Sequence, residues 1–139
     1  MSIRSIPLIV FSFILYNIVV WLGGGAVAYD VLIKRIFSIP LIGKAVPVTW
    51  GDLLLSLTLV LLFFELLKST YTSTTSLVDH ALSMLVFIAC LVAFLLFEQA
   101  QTAVFFNIML ATLIDVIAGY TIGIRVARRD IGFGGGMDH

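Results

Sequence analysis

The sequence predicts an all-α integral membrane protein: a bundle of four transmembrane helices with a short interfacial segment. Three observations predict it. Of the 139 residues, 61% are hydrophobic and only 12% charged, whereas soluble domains are nearer half apolar and a quarter charged. A soluble chain of this length could not bury that much apolar surface. The apolar residues also fall in runs close to the roughly 20 residues that a membrane helix needs. In lipid the backbone must satisfy its own hydrogen bonds, so runs of this kind form helices rather than open strands.

The first predicted span, about 5–24, starts at Ser5, is free of charge to Leu22 and ends at Gly23-Gly24-Gly25. The connection that follows, residues 26–48, mixes Asp30, Lys34, Arg35, Lys44 and two prolines with Val31, Leu32, Ile33, Ile36 and Phe37. A loop this apolar belongs in the headgroup region, with a short interfacial helix expected at about 29–37. The second span, about 50–68, has a charge-free centre from Leu53 to Phe64 between Asp52 and Glu65. A polar turn, Ser69 to Ser76, leads to the third span, about 78–97, which is uncharged from Ala81 to Phe97. The fourth, about 100–125, follows almost directly through a tight hairpin at Glu98-Gln99 and carries one charge, Asp115. Residues 1–130 therefore read as one transmembrane domain. Residues 131–139, rich in glycine, read as a flexible tail.

Lys and Arg set the expected orientation. Four crossings place Arg4, Lys68, Arg125, Arg128 and Arg129 on one side and Lys34, Arg35 and Lys44 on the other. The excess predicts both termini in the cytoplasm and the chain in a plasma membrane, the inner membrane of a bacterium. Trp21 and Trp50 then share the outer interface, where indoles prefer to sit. The competing reading is a cleaved signal peptide, since Arg4, an apolar run and Ala26-Val27-Ala28 have that form. The run is longer than an ordinary signal core, which favours retention.

Asp115 is the most informative polar residue. It lies well inside the fourth span, where a charge costs at least about 2.5–3.5 kcal/mol. No Lys or Arg matches its depth, so its carboxyl is expected to be protonated or held by neutral donors. At about 1.5 Å of rise per residue, Ser12 is the closest match in depth, with Thr58 and Ser83 above and below. A proton or cation site is one reading. A hydrogen bond that fixes packing, or a contact to a partner subunit's cation, is the other. Asn17, Ser56 and Asn107 fall at a second common depth and predict either interhelical polar bonds or a polar substrate pocket. Cys90 is the one cysteine, which excludes an internal disulfide, and near that depth it is expected to be inert.

Thr49-Trp50-Gly51-Asp52 and Ser76-Leu77-Val78-Asp79 both match the capping pattern that precedes an apolar helix. Glu65 and Lys68, three apart, are expected to pair while reaching toward the interface. With Asp79, His80 and Arg125 they predict a charge cluster at the cytoplasmic surface, either fixing helix ends or docking a partner. Gly119 and Gly123 form a GxxxG step that lets helix backbones approach closely. The sequence leaves open whether that face packs inside the bundle or against another chain.

The chain shows no nucleophile with its base, no HExxH, no pair of histidines for haem and no phosphate loop; His80 with Glu65 and Asp79 nearby is read as a solvated interfacial histidine, with a pH-sensitive or metal-binding group as the alternative. No catalytic residue, metal or cofactor is therefore assigned. Eight Lys+Arg balance eight Asp+Glu, so no net field attracts nucleic acid. The expected partners are the lipid bilayer and other membrane subunits or a second copy. Three functions fit: a non-enzymatic accessory or assembly subunit of a membrane complex, a small oligomeric proton or solute transporter built on Asp115, or a lipid- or quinone-active enzyme with Asp79 and His80 at the interface.

Overall fold

A computed structural model of the chain describes residues 5–24, 27–70 and 76–137. The elements run α1 (Val10–Leu22), α2 (Ala28–Leu32), β1 (Arg35–Leu41), β2 (Lys44–Thr49), α3 (Trp50–Ser69), α4 (Ser76–Leu96) and α5 (Ala103–Met137), with a 3-10 turn at Glu98–Ala100 before α5. Three segments are long and apolar enough to cross a membrane: Trp50–Lys68, Val78–Leu96 and Ala103–Arg125. They mark the chain as a membrane protein. α5 continues as helix to Met137, through the glycine-rich stretch expected to be loose.

The first span is shorter than expected. α1 has 13 residues, about 20 Å of helix, against a hydrocarbon core of roughly 30 Å. Pro7 precedes it, and its first turn closes with i→i−3 bonds from Val10, Phe11 and Ser12. Gly23 ends it at the other side.

The fold is also not all-α. The expected interfacial helix at 29–37 stops at Leu32, and an antiparallel hairpin follows. β1 and β2 pair from Phe37↔Val48 through Leu41↔Lys44, with an irregularity between Arg35 and Phe37. Two local features account for it. Ile36, Phe37, Ile39, Val46 and Val48 are β-branched or aromatic residues that suit strands. Gly43 sits in the two-residue turn at φ +86°, a conformation that glycine adopts without steric penalty. Lys34 C=O accepts from Trp50 N–H at 3.2 Å, which ties the base of the hairpin to the start of α3.

α3 opens with the expected capping box. Asp52 N–H donates to Thr49 Oγ1 at 3.2 Å, and Thr49 N–H donates back to Asp52 Oδ2 at 3.0 Å. The matching pattern at Ser76 and Asp79 depends on the Ser76 side chain, which lies outside the described residues.

α5 packs against both α3 and α4, and α1 lies against α3 and α5. Towards the hairpin end the interior is dry and aromatic. Phe105 is fully buried and takes Tyr16 edge-on at 4.9 Å and Phe13 edge-on at 5.9 Å, centroid to centroid. Cys90, Leu54, Ala93 and Ile108 complete this core, with Cys90 a free, buried thiol. Tyr16 also fastens α1 to the α4–α5 turn. Its hydroxyl donates to Gln99 C=O at 2.7 Å and lies 2.7 Å from Thr102 Oγ1, which in turn accepts from Phe105 N–H at the start of α5.

Candidate functional site

Towards the other end, the same helices enclose a polar interior. Asp115 is 2% exposed, and Ser12, Thr58, Glu65 and Ser83 are equally buried. α5 places Asp115, Gly119 and Gly123 one turn apart on a single face, and α4 answers with Asp79, His80 and Ser83. Ser83 is the hydroxyl neighbouring the Asp115 carboxyl, and Glu65, Lys68 and Asp79 are the charged groups at the same end of the bundle. Asp115 Oδ2, Asp79 Oδ1 and Ser12 Oγ are each buried without a hydrogen-bond partner among the described residues. Orphaned polar atoms are rare in protein interiors and each calls for an explanation.

Glu65 departs from its expected place at the interface. It does pair with Lys68, at 3.1 Å, yet its side chain is buried. The cause is the segment before α1. Leu8 N–H donates to Glu65 Oε2 at 2.7 Å, and Lys68 Nζ donates to Ile6 C=O at 3.1 Å. Residues 6–8 thus fold over the carboxylate and place it at the amino-terminal end of α1, where the helix dipole favours an anion. Glu65 has its cation; among the described residues Asp115 has none.

The GxxxG step is used inside the bundle. A Cβ at Gly123 would lie 2.8 Å from His80 Nε2, and one at Gly119 would lie 3.3 Å from His80 Cε1 and 3.2 Å from Ser69 Oγ. The two glycines therefore form a notch that seats the imidazole, with Tyr120 edge-on to it at 6.0 Å. Ala111 of the same face is buried as well. Arg125, expected in the charge cluster, is exposed and forms no ion pair among the described residues.

Two expected polar contacts do not form. Thr58 is buried, but its hydroxyl donates to Leu54 C=O of its own helix at 2.7 Å. Among the described residues, Asn17, Ser56 and Asn107 make no interhelical hydrogen bond. Asn17 Nδ2 donates to Phe13 C=O, Ser56 Oγ to Asp52 C=O and Asn107 Nδ2 to Ala103 C=O, each four residues back. Such back-bonding satisfies a short polar side chain without a partner helix. Of the residues near Asp115 in predicted depth, Ser83 is the one brought to its carboxyl.

Sequence reasoning missed Tyr16 as a latch and the histidine seat. Thr102, three residues before Phe105, is a helix-capping signal that could have drawn attention to the turn that Tyr16 grips. The width of the GxxxG notch matches a flat ring, but nothing in a single sequence says which ring. Among the described residues, no three of His, Cys, Asp and Glu converge closely enough to hold a metal ion. Titratable and hydroxyl groups gather at this end of the bundle: His80 in its notch on α5, Asp79 and Ser83 on the same helix as His80, and Asp115 one turn from Gly119. Groups of this kind can take up, hold and release a proton. Comparison with protein-family models, curated proteins and solved structures finds no match to this chain.

Proposed function

We propose that this chain is a small multi-pass transporter of protons, or of a solute coupled to them, with Asp115 as the titrating group. One observation carries the reading: a carboxyl buried inside an apolar bundle, without a cation among the described residues, shares its end of the bundle with Ser83, with a second buried acid, Glu65, and with the half-buried Asp79 and His80. An intramembrane acid of this kind points to an ion or proton path. The bundle would sit in a plasma membrane, the inner membrane of a bacterium, with both termini cytoplasmic, so that His80 and Asp79 face the cytoplasmic side. Asp115→Asn keeps shape and removes titration. In liposomes carrying the purified protein, the variant is expected to abolish pH-driven flux that the wild-type chain supports. Unchanged flux in the variant would overturn the mechanism.

A second reading is the accessory or assembly subunit of a membrane complex. It draws support from the hairpin, whose strands are exposed over almost their whole length. Two features that favoured it from sequence are accounted for within the chain, since Asp115 is enclosed and the glycine face holds His80. Co-purification from native membranes in mild detergent tests it. A chain isolated without a partner would count against it.

A further inference from the structure

The β-hairpin gathers several large exposed apolar side chains outside the helices. On one face of its ladder stand Phe37, Ile39, Leu41, Val46 and Val48, of which all but Val48 are exposed. At the tip Ile42 is 106% exposed, in a turn position normally taken by Gly, Pro, Asn or Asp. Such a face needs a cover.

Lys34 and Arg35 stand at the base of the ribbon and Lys44 at its tip, all exposed; the ribbon itself carries no acid, and Asp30 and the capping Asp52 lie near its base. The ribbon is also continuous with a membrane helix, because Thr49 ends β2 and caps α3. Trp50, Trp21 and Tyr29 are exposed at the same end of the bundle, where aromatic residues mark the boundary of a bilayer. A second chain adding a strand is disfavoured, since each strand carries a proline, Pro40 or Pro47, that offers no amide N–H.

From these features we infer that the hairpin is a membrane-surface anchor: its apolar face and Ile42 sit among the lipids of the bilayer that the helices cross, and Lys34, Arg35 and Lys44 bind anionic phosphate headgroups. The cations flank the apolar face at both ends, the arrangement that holds an amphipathic element flat in an interface. The anchor stands independently of Asp115 and its titration.

Fluorescent labelling at Ile42→Cys tests it, with Glu98→Cys, an exposed site on the α4–α5 turn, as the aqueous reference. The native thiol, Cys90, is buried, and the unmodified chain serves as the labelling control. The protein is reconstituted in phosphatidylcholine vesicles with and without phosphatidylglycerol. Helical circular dichroism confirms that each variant folds. The label at 42 is expected to be quenched by a lipid-borne nitroxide and to be several-fold less accessible to aqueous iodide than the label at 98. Adding phosphatidylglycerol should deepen that protection, and Lys34→Gln/Arg35→Gln/Lys44→Gln should remove the increment. Equal access of iodide to both positions in either vesicle would overturn the anchor. So would protection from lipid and aqueous quenchers together, the signature of a covering protein. Protection indifferent to phosphatidylglycerol and to the triple substitution would overturn the headgroup contact.

Discussion

The two halves of the bundle are built from the same helices, yet they are filled differently. Near the hairpin, Phe105, Tyr16, Phe13 and Cys90 form a dry core in which the Tyr16 hydroxyl is doubly bonded. About three turns beyond Phe105 along α5, Asp115 and its neighbours form a core in which three oxygens have no partner among the described residues. In a bilayer, helix association draws on close packing and interhelical hydrogen bonds, because lipid is as apolar as the helix faces. The dry half supplies both and holds the helices in place. The polar half supplies neither in full, and an interior that keeps orphaned acids at the expense of stability is the usual mark of a working site.

Substitutions should separate the halves. Phe105→Ala deletes the centre of the aromatic cluster and should cost about 3–5 kcal/mol, read from detergent-titrated unfolding in mixed micelles. An effect near zero would mean that the dry half is not the structural one. Gly123→Ala should cost about 1–3 kcal/mol by overpacking, because the added methyl meets His80 Nε2. Combining it with His80→Ala should recover most of that loss, a coupling that a double-mutant cycle measures. Independent, additive losses would show that the notch does not seat this ring. Tyr16→Phe should cost about 1 kcal/mol and loosen the α4–α5 turn, seen as faster amide exchange at Phe105. Asn107→Leu should change stability by less than about 0.5 kcal/mol, since its amide bonds only its own helix; a larger loss would restore the interhelical layer expected from sequence.

Much of the framework was legible in the residues. Three apolar runs gave the three membrane-length apolar segments within a few positions, although α5 itself runs on to Met137, and Thr49 with Asp52 announced the start of α3 through a local, short-range bond. The pairing of Glu65 with Lys68 was readable for the same reason. The burial of Glu65 was not, because it depends on residues 6–8 returning over α3 from almost sixty positions away. The hairpin was obscured by a mixed composition in which apolar residues and prolines outweighed a modest alternation. α1 was overestimated because absence of charge measures solubility in lipid and says little about where Pro7 and Gly23 stop the helix. At the site, Asp115 stood out by its cost in lipid. Matching depth alone put Ser12 first, with Thr58 and Ser83 above and below it, and only the rotation of each helix, a tertiary property, selected Ser83. The asparagines misled for a related reason: equal depth says nothing about whether a side chain faces a neighbour or folds back on its own helix.

The central claim is that the Asp115 carboxyl exchanges a proton inside the bundle, and infrared difference spectroscopy of the membrane-reconstituted protein tests it most directly. The account predicts a protonated-carboxyl C=O band that rises and falls as pH is stepped, and that is missing from the Asp115→Asn spectrum. A spectrum in which no carboxyl band both responds to pH and disappears with Asp115 would contradict it.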